Sequence, residues 1–260
     1  MKQKWLWISI IGIFFIGFTG FVIGFGNAFL IGLEVTQPAS VSEEVTETTI
    51  PPPEVFPVGD FQVVALGDSL ARGTGDSAGG FVERTVEGME AEEDVTITLY
   101  NFSNEGMRSG ELAEQIKDPL LEQAVANARY LVISIGGNDL RDVRRTAVPQ
   151  QDQVFERQLN QYLEHLEEIL ERIRRTNEQS LIIFLGLYNL QDNLSSETET
   201  GYLLEWNYRT QQALAAFPGT LYIPTLDLFQ LNFEQFISFD RLHPSEEGHE
   251  AIARRILDNL

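Results

Sequence analysis

Phe61-Gln62-Val63-Val64-Ala65-Leu66-Gly67-Asp68-Ser69-Leu70 reads as a buried strand that stops on a serine. Five of its first six residues are apolar and none is charged, which suits a strand covered on both faces. Ser69 then stands where the tip of the strand turns. A serine in that place exposes its hydroxyl where the N-terminus of a following helix supplies backbone donors. An ordinary helix N-cap would look the same in Gly67-Asp68-Ser69-Leu70 alone, and the Gly-x-Ser-x-Gly elbow of ordinary α/β-hydrolases is absent.

Downstream, four runs repeat the first one's character: Val95 to Asn101, Tyr130 to Ile135, Leu181 to Leu187 and Leu221 to Pro224. Helical patterns lie between them. Gln153 to Thr176 is the clearest, with Phe155, Leu159, Tyr162, Leu163, Leu166, Ile169, Leu170 and Ile173 at three-and-four spacing. Tyr202 to Phe217 and Ser245 to Leu257 are shorter, and Ser245 is a good N-cap with Glu246 and Glu247 in the first turn. Strand and helix in alternation predict an α/β domain with a parallel sheet of about five strands wrapped by helices. Such sheets carry their chemistry in the loops after the carboxyl ends of the strands.

Upstream, the composition changes twice. Residues 1–33 read as a membrane anchor, because Trp5 to Leu33 holds no charge, and 29 helical residues would reach about 43 Å against a hydrocarbon core of about 30 Å. Lys2 and Lys4 precede it and Glu34 follows, so the positive-inside rule predicts a cytoplasmic N-terminus and an extracytoplasmic remainder. Cleavage near Gly26-Asn27-Ala28, which would release a secreted protein, is the competing reading. Residues 34–59 hold five glutamates, half of the ten prolines and no basic residue, the composition of a disordered tether. Residues 60–260 form the folded domain.

Charge and cysteine content exclude whole classes of function. The 260 residues carry 18 Lys and Arg against 39 Asp and Glu, a net charge of −21. That balance disfavours nucleic acid, whose binding relies on cations neutralising phosphates. With no cysteine there are no disulfides, no thiol catalysis, no thiolate zinc and no lipidated cysteine. Three scattered histidines do not make a metal site, and no cofactor or partner protein is implied.

The loops after the strands hold the polar signals. Asn101-Phe102-Ser103-Asn104-Glu105-Gly106 and then Met107-Arg108-Ser109-Gly110 follow the second strand. Gly136-Gly137-Asn138-Asp139 follows the third, and Asn138 offers a neutral donor suited to a developing oxyanion. Asp240-Arg241-Leu242-His243-Pro244 precedes the last helix. An aspartate and a histidine three apart can share one side of a turn, so that the carboxylate holds one ring nitrogen and leaves the other as a base. His165, among Glu164, Glu167 and Glu168, reads as a solvated surface residue, and His249 has no assigned role.

These four blocks, in this order, resemble the SGNH or GDSL-type serine hydrolases over nearly all of the chain from Phe61 onward. Gly186-Leu187-Tyr188-Asn189 and Trp206-Asn207 resemble more narrowly the membrane-attached GDSL-lipase-like proteins of Gram-positive bacteria. The resemblance implies a flavodoxin-like three-layer sandwich. It also implies Ser69 as nucleophile, His243 as general base and acid, and Asp240 as the residue orienting His243. The oxyanion hole would comprise the backbone N–H groups of Ser69 and Gly106 and the side-chain amide of Asn138. Gly110 is the alternative to Gly106.

Three functions are compatible with these residues. The first is a lipase, esterase or lysophospholipase working through an acyl-enzyme on a small-molecule or lipid ester. The second removes O-acetyl groups from an envelope polysaccharide, and the third is an inactive binding module. A long apolar groove beside Ser69 would favour acyl chains, whereas a shallow polar cleft would favour sugars. Phe229, Phe233, Phe236 and Phe239 are expected either to line an acyl pocket or to pack in the core. Asn189 to Gly201 is either a border of the site or a surface loop. Arg108 and Arg141 are the arginines placed to offset the domain's acidity toward an anionic substrate.

Overall fold

A computed structural model of the chain describes residues 59–144, 146–189 and 197–260. The anchor expected over 1–33 and the tether over 34–59, Gly59 apart, lie outside the described residues. Among the described residues no helix is long and apolar enough to cross a membrane.

Five parallel strands form one sheet in the order β2-β1-β3-β4-β5. They are β1 Phe61–Gly67, β2 Ile97–Asn101, β3 Ala128–Ser134, β4 Leu181–Leu185 and β5 Thr220–Ile223. All five are the strands expected from the apolar runs, with shifted ends. β2 starts later than Val95 because the preceding helix ends at Asp94 in a left-handed conformation, φ 53°. β4 stops at Leu185, and beyond it the backbone of Leu187 pairs with the side chain of Asn207 instead of with a strand.

Side chains alternate between two apolar layers, as the period of a strand requires. Val64, Leu66, Leu131, Ile133, Ile182 and Phe184 face one layer. Val63, Ala65, Val132, Ile183 and Leu185 face the other. The first layer is covered by α3 Ser109–Gln115, α4 Pro119–Asn127, α5 Gly137–Arg144, α6 Gln151–Thr176 and α7 Glu197–Leu214. The second is covered by α1 Ser69–Arg72, α2 Phe81–Glu93, α8 Leu226–Phe236 and α9 Glu246–Leu257. This is the three-layer α/β sandwich. The stripe read on α6 is its buried face, including Phe155, Leu159, Tyr162, Leu166, Ile169, Leu170 and Ile173, each side chain contributing about 1.5–3 kcal/mol of burial.

Strand order reverses direction beside β1: β2 lies on one side and β3 on the other. That leaves a crevice at the carboxyl ends of β1 and β3, the place where open α/β sheets bind ligands. Gly67 shapes it. Its φ is +123°, and a Cβ there would stand 1.9 Å from the carbonyl oxygen of Ser134, so only glycine lets β1 turn this close to β3.

Candidate active site

Asp68 and Ser69 leave the end of β1 together. Asp68 is the N-cap of α1, its Oδ1 accepting from the backbone N–H of Leu70 at 3.1 Å and from the Ser134 hydroxyl at 3.1 Å. Ser69 is therefore the first residue of a helical turn, with an N–H of the kind a helix leaves unpartnered. Burial pushes the Asp68 carboxyl up to about 6, against the lowering effect of its hydrogen bonds to Leu70 and Ser134.

The turn before α9 brings the distant His243 to this serine. His243 Nε2 lies 2.9 Å from Ser69 Oγ, and His243 Nδ1 lies 2.7 Å from Asp240 Oδ2. An ionised carboxylate only accepts, so Nδ1 carries the proton and Nε2 presents a lone pair to the Ser69 hydroxyl. Asp240 also organises the turn through Oδ1, which accepts from the Ser238 hydroxyl at 2.7 Å and from the N–H groups of Leu242 and His243 at 2.9 Å each. Partial burial raises the Asp240 carboxyl, but the hydrogen bonds from Ser238, His243 and the two N–H groups outweigh it and hold it well below the usual range. Arg241, between them, adopts a left-handed φ of 57°.

The loops after β2 and β3 complete the opposite wall. Gly106 sits at φ +72° and lines the cavity in front of Ser69. Gly110 does not: it lies in α3, where a Cβ would stand 3.0 Å from the His165 ring. Of the two glycines weighed from sequence, Gly106 is the one at the site. Asn138 is nearly buried in the first turn of α5 and donates one amide hydrogen to the carbonyl of Met107 at 3.0 Å. Its second amide hydrogen remains for a group in the cavity.

Behind Asn138 lies a polar chain that sequence reading missed. Asp139 accepts from the Ser109 hydroxyl at 2.6 Å and the Ser109 N–H at 3.1 Å, and Ser109 Oγ lies 2.9 Å from His165 Nδ1. Burial is the main influence raising the Asp139 carboxyl, over the lowering effect of Ser109. His165 is thus half-buried and bonded, not a solvated surface residue. The contact is invisible in sequence because Ser109 stands 56 positions away. The chain links α6, α3 and α5, and so braces the Gly106 loop against the helix of Asn138.

The remaining expectations divide. His249 is fully buried: its Nδ1 accepts from Phe81 N–H at 3.1 Å, its Nε2 lies 3.0 Å from the Thr74 carbonyl, and the ring stacks on Phe81. It holds α9 to the loop after α1 as a neutral imidazole, burial being the first cause that lowers its pKa. Phe229 is buried, Phe233 and Phe236 pack against the same core layer, and Phe239 is fully exposed; none of the four lines the cavity. Asn189, the first residue of the segment expected to border the site, does line it, as does Tyr202 just beyond the segment's end at Gly201. Residues 190–196 lie outside the described residues.

The cavity has a volume of about 240 Å³. Leu70, Leu140, Leu187, Tyr188, Leu203 and Leu242 give it apolar walls around Ser69, Asn138 and His243. Among the described residues no group of His, Asp and Glu is arranged to hold a metal ion.

A serine, histidine and aspartate linked in this way at the end of β1 match a family pattern, and residues 65–251 fit the model of the GDSL-like Lipase/Acylhydrolase family. The chain belongs to that family. It is a carboxylic ester hydrolase of the GDSL lipase and esterase type. The spore germination lipase LipC of Bacillus licheniformis is 28% identical over 204 residues, covering 75% of this chain and 94% of LipC. YpmR of Bacillus subtilis is 29% identical over 201 residues, 75% of this chain and 79% of YpmR. The crystal structure of the lipase Lip_vut3 from a goat rumen metagenome superimposes with a TM-score of 0.70 at 27% identity, covering 76% of this chain and 96% of that one. Axe2, an acetylxylan esterase from Geobacillus stearothermophilus, shares the fold, with a TM-score of 0.59 at 19% identity over 77% of this chain and 94% of Axe2.

Proposed function

We propose that this GDSL hydrolase cleaves acyl lipid esters, lysophospholipids among them, through an acyl-enzyme on Ser69. The observation that carries the reading is the contact between His243 Nε2 and Ser69 Oγ at 2.9 Å with Asp240 on the far ring nitrogen. His243 takes the hydroxyl proton as Ser69 attacks the ester carbonyl, then returns it to the leaving alcohol. Asp240 holds the tautomer and stabilises the imidazolium. The N–H groups of Ser69 and Gly106 and the free amide hydrogen of Asn138 receive the developing oxyanion. Water activated by His243 then releases the acid.

The apolar walls of the cavity support an acyl chain over an acetylated sugar, which calls for a polar cleft. The uncharged stretch from Trp5 to Leu33 supports attachment to a membrane with the catalytic domain on the extracytoplasmic side. For the test, the full chain and its Ser69→Ala variant are assayed on p-nitrophenyl butyrate and labelled with a fluorophosphonate. Hydrolysis and labelling are both expected to vanish in the variant. Equal rates for the two proteins would overturn the assignment.

A further inference from the structure

The two arginines near the site have different fates. Arg108 is neutralised, its Nη1 and Nη2 donating to the Asp142 carboxylate at 2.6 and 3.1 Å. Arg141 has no hydrogen-bond or ion-pair partner among the described residues, and its Nε is buried without an acceptor. Among those residues it is also the only Arg or Lys that lines the cavity. Asp142, its neighbour in sequence, serves Arg108 instead.

A guanidinium remains charged at any working pH, and burying part of it with no acceptor is costly. Its planar fork matches carboxylate and phosphate oxygens. The cavity's own acids do not supply that acceptor. Glu105 accepts from the Thr74 hydroxyl and lies 3.9 Å from Arg72, while Asp68 accepts from Leu70 and Ser134. The domain from Asp60 onward carries 16 basic against 34 acidic residues, so an anionic ligand meets general repulsion and needs a local cation.

Arg141 stands three residues after Asn138 on α5, on the same face one turn along, where Cβ atoms are about 5–6 Å apart. We propose that Arg141 binds an anionic group of the substrate, a phosphate or carboxylate a few bonds from the scissile ester, while the acyl part lies on the apolar walls. Arg141 is then a specificity residue: it separates anionic esters from neutral ones of the same acyl chain. This rests on the ester-hydrolase reading of the same cavity.

The test compares the full chain with Arg141→Met and Arg141→Lys on two substrate pairs. One pair is monodecanoylglycerol and its phosphate ester; the other is phenyl acetate and meta-acetoxybenzoate. Losing a hydrogen-bonded charge pair should lower the anionic-to-neutral ratio of kcat/KM by about 10- to 100-fold in Arg141→Met, mainly through KM, with partial recovery in Arg141→Lys. A fall confined to the lipid pair identifies a lipid phosphate; a fall in both identifies anions generally. An unchanged ratio in both pairs overturns the proposal, even if absolute rates fall.

Binding of decyl phosphate to Ser69→Ala, measured by calorimetry with and without Arg141→Met, separates the two readings. Arg141-dependent binding without any ester turnover would keep the anion site and remove the hydrolase assignment. Turnover with no dependence on Arg141 would do the reverse.

Discussion

The Tyr188 hydroxyl donates to the carbonyl of Leu242 at 2.9 Å, tying the loop after β4 to the turn that holds His243. The Tyr188 ring stacks on Phe229 with centroids 4.1 Å apart, so the tie is anchored in the core. Burial, followed by the Asp68 and Asp240 carboxylates, pushes the phenol well above its ordinary value, and it stays a donor at every working pH. Tyr188→Phe keeps the stack and loses the hydrogen bond. A bond worth about 1 kcal/mol predicts a roughly fivefold fall in kcat on p-nitrophenyl butyrate with KM little changed. Steady-state kinetics check this, and an effect on KM alone would place Tyr188 in substrate binding instead.

Asn138→Ala removes one of three proposed oxyanion donors. The expected loss is about 100- to 1000-fold in kcat. The same change leaves the Met107 carbonyl without its donor, which should cost about 1–3 kcal/mol of stability, small enough for a folded protein. Fluorophosphonate labelling at Ser69 should persist at a reduced rate. A variant with near-normal kcat would remove Asn138 from the oxyanion hole.

The Asp68 carboxyl titrates from an ordinary value of 3.8 to about 6 in the folded state. Between those values the unfolded chain releases this proton first, so stability falls as pH rises through that window and stays lower above it. Asp68→Asn keeps an oxygen for Leu70 and Ser134 and avoids the buried charge. It should be more stable than the wild type at pH 8 by up to about 3 kcal/mol, with little difference at pH 4. Urea denaturation at the two pH values measures this, and an equal gain at both would mean that charge is not the cause.

Much of the domain was legible in the sequence because its strands are short apolar runs and its candidate site residues lie at strand ends or in the turn before the last helix. The unread parts depend on contacts across the fold. His165 has three glutamates near it in sequence, yet its partner Ser109 comes from another helix. Gly106 stays in the loop with a left-handed backbone and Gly110 falls inside a helix, a difference settled by where α3 begins. Asn207 could be noticed but not explained: its side chain donates to the Leu187 carbonyl and accepts from the Leu187 N–H, taking the place of a missing strand. The four phenylalanines before Asp240 fit a pocket and a core equally well in sequence. Phe229 joins the core layer under α8 and α9, and Phe239 faces solvent.

The proposed nucleophile Ser69 and its proposed base His243 are 174 residues apart in the chain. At synthesis rates of about 5–20 residues per second, Ser69 is made roughly 10–30 s before His243 exists. During that interval Ser69 has no His243 to contact and the crevice lacks one wall. By the proposed mechanism the growing chain therefore carries an inert hydroxyl, and ester cleavage becomes available only once the turn before α9 has closed onto the first strand's tip.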